Sequence, residues 1–92
     1  MAKTQTKEKI ASILRVSANS KPRAVAGALV AALKEHNSVE LVAIGARAVN
    51  QTVKAIAVAK HFGQNLKCIP VFTEVQFDGE NKTGMKLIVE IS

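Results

Sequence analysis

Twice in this chain a strand-like apolar segment gives way at once to a residue suited to starting a helix. Residues 10–18, "IASILRVSA", place Leu14, Val16 and Ala18 on one side and Ile13, Arg15 and Ser17 on the other, the period-two alternation of a strand. The segment Asn19, Ser20, Lys21, Pro22 follows, and proline is preorganised for the first helical position, where its missing N–H is not needed. The helix it starts is predicted to reach about Glu35, with Val25, Ala28, Leu29, Ala32 and Leu33 forming the buried stripe. Asn37 is expected to act as a left-handed cap, and "VELVAIG", residues 39–45, reads as an inner strand. Gly45 then turns the chain into a second helix, whose expected stripe is Val49, Val53, Ile56 and Ala59. Arg47, Lys54 and His61, spaced by sevens, fall within about 40° of one another on a different face, bordered by Asn50 and Gln51.

The remaining segment, "LKCIPVFTEVQFDGENKTGMKLIVEIS", reads as two strands around Asp78, Gly79, Glu80 and Asn81. Met85, Leu87, Val89 and Ile91 share one face of the last strand, and Lys86, Ile88 and Glu90 the other. Two strand-helix units impose a parallel pair, and the hairpin adds an antiparallel one. The predicted fold class is therefore α/β, a two-layer α+β sandwich in the order β-α-β-α-β-β with a mixed four-stranded sheet. Alternation in the first and last strands leaves one sheet face partly exposed, so both helices belong on the other. Ile13 and Ile88 are the expected apolar exceptions on the open face.

With 92 residues the chain makes one domain, here residues 10–92, preceded by a flexible basic tail, residues 1–9, carrying Lys3, Lys7 and Lys9. The tail, "MAKTQTKEK", lacks the apolar run of a secretory signal, and the longest apolar run, "AVAGALVAAL", is too short to cross a bilayer. A cytoplasmic location is expected. Cys68 is the single cysteine, which excludes an internal disulfide and fits a small apolar residue in a strand.

The segments "VSANSKPRAVAGALVAAL", "VELVAIGARAVNQTVKAIAVAKHF", "CIPVFTEV" and "GMKLIVE" resemble the stage V sporulation protein S family of bacteria, from Leu14 to Glu90. That family is in turn similar to the archaeal Alba chromatin proteins. The resemblance implies an Alba-like fold, a homodimer, nucleic-acid binding and a role in bacterial development or cell-cycle control. Carried over to this chain, it places Lys21 and Pro22 at the Alba-type Lys-Pro and Arg47 in the basic turn before the second helix, positions that face nucleic acid in Alba-like proteins.

Charge distribution points the same way. The net charge is +6, and between Glu40 and Glu74 the chain carries Arg47, Lys54, Lys60 and Lys67 with no acidic residue. Phosphate oxygens are favoured at a helix start, where backbone N–H groups and the positive dipole end converge. The expected nucleic-acid-binding residues are Lys21, Arg23, Arg47, Asn50 and Lys54, acting mostly on phosphates, with DNA preferred to RNA. Alba proteins extend a long basic hairpin, whereas here the turn "DGENKTG" is read as short and acidic, with Asp78 and Glu80 beside Lys82. Base stacking needs exposed rings, and Phe62, Phe72 and Phe77 are assigned to the core or a dimer interface.

Catalysis would need a nucleophile with a base, paired carboxylates or metal ligands. His36 and His61 sit near helix ends, where a cationic ring suits the dipole, and no phosphate loop, paired-His helix or cysteine cluster is present. The expectation is a protein that is not an enzyme and takes no cofactor or metal. The competing reading is a protein-interaction module, with Val58 and Ile88 in its interface.

Overall fold

The two strand-to-helix steps and the hairpin all form. In the computed structural model, which describes residues 12–92, the elements are β1 (Ser12–Val16), α1 (Pro22–Leu33), β2 (Ser38–Ala43), α2 (Ala46–His61), β3 (Leu66–Phe77) and β4 (Glu80–Ile91). The expected basic tail, and residues 10 and 11 of the expected first strand, lie outside the described residues.

The sheet order is β1-β2-β4-β3. β1 and β2 run parallel, and β4 lies antiparallel between β2 and β3, so β3 runs in the same direction as the first two. Register separates the two faces. Leu14, Leu41, Leu87 and Pro70 form one row across the four strands, and Ile13, Glu40, Ile88 and Ile69 form the neighbouring row on the opposite face. The first face carries the core: Val39, Leu41 and Val89 are fully buried there in one cluster with Leu29 of α1 and Ile56 of α2. Both helices pack on β1 and β2 and against each other. Each such aliphatic side chain contributes about 1.5–3 kcal/mol through removal from water. On the open face Ile13 is 61% exposed while Ile88 is half-buried. Ion pairs Lys86–Glu40 (3.4 Å) and Lys67–Glu90 (3.6 Å) bridge strands near that row.

Several expectations need correction. α1 stops at Leu33 rather than Glu35, because the amides of Lys34, Glu35 and His36 fold back onto the carbonyl oxygens of Ala31 and Ala32. Asn37 is not a left-handed cap, since Asp78 is the only non-glycine with positive φ among the described residues. The buried residues of α1 are Ala26, Leu29 and Leu33, with Ala28 exposed; those of α2 are Ala48, Thr52, Ala55, Ile56 and Ala59, while Val49 is half-buried and Val53 is 50% exposed. Ile56 and Ala59 hold their expected inner places, and Ala48, Thr52 and Ala55 complete the stripe where Val53 was expected.

The hairpin differs most from expectation. Its turn is only Asp78-Gly79, with φ of 54° and 77°, the double positive φ of a type I′ connection that matches strand twist. β3 and β4 remain paired as far as Phe77–Glu80, whereas β2 stops pairing with β4 at Ala43–Met85. Residues 73–84 therefore project past the sheet as a two-stranded arm closed by the expected short turn. The arm is acidic as expected, carrying Glu74, Asp78 and Glu80 with Lys82, and Thr83 Oγ1 donates to Glu74 Oε2 at 3.0 Å. Where it leaves the sheet stands Gly84, buried against Ala43 and Ile44.

Candidate nucleic-acid interface

Neither helix start is capped by its own sequence. The N-cap positions are Lys21 and Gly45; neither supplies a side-chain hydrogen bond, and neither first turn contains an acidic residue. Gly45 adopts φ 94°, ψ 154°, a conformation that disfavours any other residue, and so aims the chain from β2 into α2. Both positive dipole ends are thus left without the carboxylate that commonly offsets them.

The two starts are also tied together. Gln51 Nε2 donates to the Ser20 carbonyl oxygen at 2.8 Å, linking the first turns of α2 to the residue before Lys21. Ser20 is itself held in a tight loop: its N–H donates to Ser17 O at 3.1 Å, and its Oγ accepts from the Ser17 N–H at 2.9 Å. Lys21, Arg23 and Lys54 border one shallow hollow of about 560 Å³, together with Pro22, Ala57 and Val58; its wall is almost wholly apolar, so the aliphatic stems of the three cations line it and their charged ends stand at its rim.

Arg47 lies two helical turns before Lys54, about 10 Å along the axis, and is exposed. Asn50 is exposed as well but lines a different hollow, beside Val49, Val53 and Phe72. Of the five expected site residues, three border one hollow, Arg47 stands about two turns before Lys54 on the same helix, and Asn50, at the edge of that face, lines the neighbouring hollow. Sequence reasoning treated Gln51 only as a bordering residue, because a tether to a backbone oxygen 31 positions away has no sequence signal.

Phe62 and Phe72 did not go inside. Phe72 is 79% exposed and Phe62 57%, so neither belongs to the core of the single chain. Phe72, Val53, Val49 and Met85 form an apolar hollow between α2 and the edge strand β3.

Among the described residues no group of three or more metal-ligating side chains comes together. His36 follows the end of α1 and His61 is the last residue of α2. Cys68 is half-buried on β3 against the core, and burial pushes its thiol pKa up, away from nucleophilic character at neutral pH. No described helix is long and apolar enough to cross a membrane.

A comparison with protein families matches residues 12–92 to the model for Stage V sporulation protein S.

Proposed function

The chain belongs to the stage V sporulation protein S family and is in that sense a sporulation-related protein; from this premise we propose that it is a nucleic-acid-binding regulator, acting as a homodimer. The observation that carries the reading is the convergence of Lys21, Arg23 and Lys54 on one hollow at the start of α1, which lacks an acidic cap; the start of α2, equally without one, lies further along that helix beside Arg47. Phosphate oxygens fit such a place, since each cation contributes a charge-assisted contact and the helix-start amides point outward. Arg47 extends the contact along α2, and Asn50 adds a neutral donor and acceptor at its edge. Contacts of this kind hold the backbone and carry little sequence information.

The acidic arm directs the ligand. Glu74, Asp78 and Glu80 repel phosphate, so a duplex would lie across the helix starts and not along the hairpin. DNA is the favoured ligand, the cytoplasm the proposed location, and an Alba-like mode of binding the closest analogy. The apolar hollow of Val49, Val53, Phe72 and Met85 supplies the proposed contact between the two copies. A twofold axis there would double the cationic hollow. No catalytic step is proposed.

The test is fluorescence anisotropy of labelled duplex DNA and RNA at several salt concentrations. Electrostatic binding gives a log-log salt slope of about −0.9 per phosphate contacted on duplex DNA. The double variant Lys21→Glu/Arg47→Glu should lose binding while keeping the wild-type fold and oligomeric state. No binding at low salt would leave the second reading, a protein-interaction module on the same scaffold, which the exposed Phe72 and Val53 favour.

A further inference from the structure

The hollow at Lys54 is one end of a longer track. Lys21 lines it and also lines a second hollow of about 300 Å³, shared with Leu14, Arg15 and Ser20. Arg15 and Ser20 in turn line a third, of about 420 Å³, whose walls include Ser17, Val42, Ile44 and Lys82. The cations Lys54, Arg23, Lys21, Arg15 and Lys82 thus follow one another around the loop after β1, from the helix layer to the open face of the sheet.

The last hollow is the most polar of the three and the only one that combines polar groups with a broad aliphatic wall. It sits where β1 and β2 end, and the aliphatic side chains of Val42 and Ile44 contribute apolar wall. Arg15 forms no ion pair among the described residues. One side is set by the hairpin arm: Gly84 lets β4 pass so close that a Cβ there would lie 2.8 Å from the Ala43 carbonyl oxygen and 3.1 Å from Ile44 Cγ1. Alternation along β4 puts Lys82 on the same face as Gly84, and this close passage brings it to the rim. The volume suits a small ligand, and the lining, aliphatic walls with cations and two serine hydroxyls, suits a flat ring joined to an anion.

We propose that this hollow takes one unpaired nucleotide of a bound nucleic acid. The base lies against Val42 and Ile44 with the Arg15 guanidinium over its face, and its phosphate lies on the Lys21 side, away from the acidic arm. A guanidinium plane stacks on bases and pairs with phosphate, whereas an ammonium acts as a point charge. The strand backbone then continues past Ser20 to Lys21 and the helix starts. The inference rests on the nucleic-acid reading above and deepens it, since it gives the protein a preference for a duplex with an unpaired or overhanging nucleotide over a blunt one.

The experiment compares a short blunt DNA duplex with the same duplex carrying one unpaired thymidine, by anisotropy at fixed low salt. The unpaired nucleotide should tighten binding by about threefold, less than a base gains on an aromatic ring, since no ring lines this hollow. Ile44→Ala should remove that gain and leave blunt-duplex affinity unchanged. Val42→Thr, which keeps the side-chain shape and adds a hydroxyl, should reduce the gain in a protein with wild-type melting. A photoactivatable thio-pyrimidine at the unpaired position should cross-link to the peptides bearing Arg15 or residues 42–44. If the blunt duplex binds and depends on Lys21, but the unpaired nucleotide adds nothing or the gain survives Ile44→Ala, the hollow is not a base site while the phosphate interface stands. If neither duplex binds, the hollow and the nucleic-acid reading fall together.

Discussion

Gln51 Nε2 donates a 2.8 Å hydrogen bond to the carbonyl oxygen of Ser20, so the second helix fixes the loop that begins the first. Gln51→Ala should cost about 1 kcal/mol of stability, the usual net worth of one such bond. It should also weaken DNA binding although no charge is lost, because Lys21 is no longer held beside Lys54. Chemical denaturation and anisotropy on the same variant separate the two effects, and unchanged affinity would mean that the tether does not organise the interface.

Two glycines should respond in opposite directions to alanine. At Gly84 the new Cβ meets the Ala43 carbonyl oxygen at 2.8 Å, a backbone atom that cannot swing aside. Gly84→Ala should therefore destabilise by about 1–3 kcal/mol, as overpacking does. Gly27 is exposed within α1 and has nothing within 4 Å of an added Cβ. Gly27→Ala should stabilise by roughly 0.5–1 kcal/mol through helix propensity. Urea titrations of the pair give both signs.

Thr52 is the only buried polar residue among those described; its Oγ1 donates to the Ala48 carbonyl oxygen at 2.9 Å within α2. The bond is local to the helix, so the fully buried methyl group should matter more than the hydroxyl. Thr52→Ser, which deletes that methyl, should cost about 1 kcal/mol, and Thr52→Val, which keeps the shape, should cost less. The reverse order in thermal melting would show that the hydroxyl dominates.

Phe72 stands 79% exposed beside Val53 on the apolar hollow proposed as the dimer contact. Phe72→Glu should give a monomer in sedimentation equilibrium, with helix content preserved. A Phe72→Glu protein of unaltered mass would place the contact between copies elsewhere.

Burial raises the pKa of the Cys68 thiol. The folded state then holds that proton more tightly than the unfolded chain does. The associated stability is fully present at neutral pH and is lost as pH rises past the unfolded thiol's value toward the folded one. Alkylation by iodoacetamide near neutral pH should accordingly be slower in native protein than in urea, and equal rates would contradict this placement of Cys68.

The sequence by itself determined the element order and both helix starts. It did so because Pro22, Gly45 and Asp78-Gly79 act through the backbone, where sterics fix the outcome within a few residues. The same local logic sorted the faces of β1 and β4, since a period of two leaves no other assignment once one face is buried. Tertiary structure decided the rest. It placed β4 between β2 and β3, a choice between sheet orders that alternation does not distinguish. It turned α2 so that Ala48, Thr52 and Ala55 join the expected Ile56 and Ala59 on the inner face while Val53 faces outward, an offset of the buried stripe set by how the helix seats on α1 and the sheet. It extended the hairpin into an arm, since β2 ends at Ala43 while β3 and β4 continue. The candidate site divides in the same way. Lys21, Arg23, Arg47 and Lys54 were legible from charge and helix starts, whereas Gln51, Arg15 and Lys82 join them only through contacts between residues far apart in the chain, which folding alone brings together.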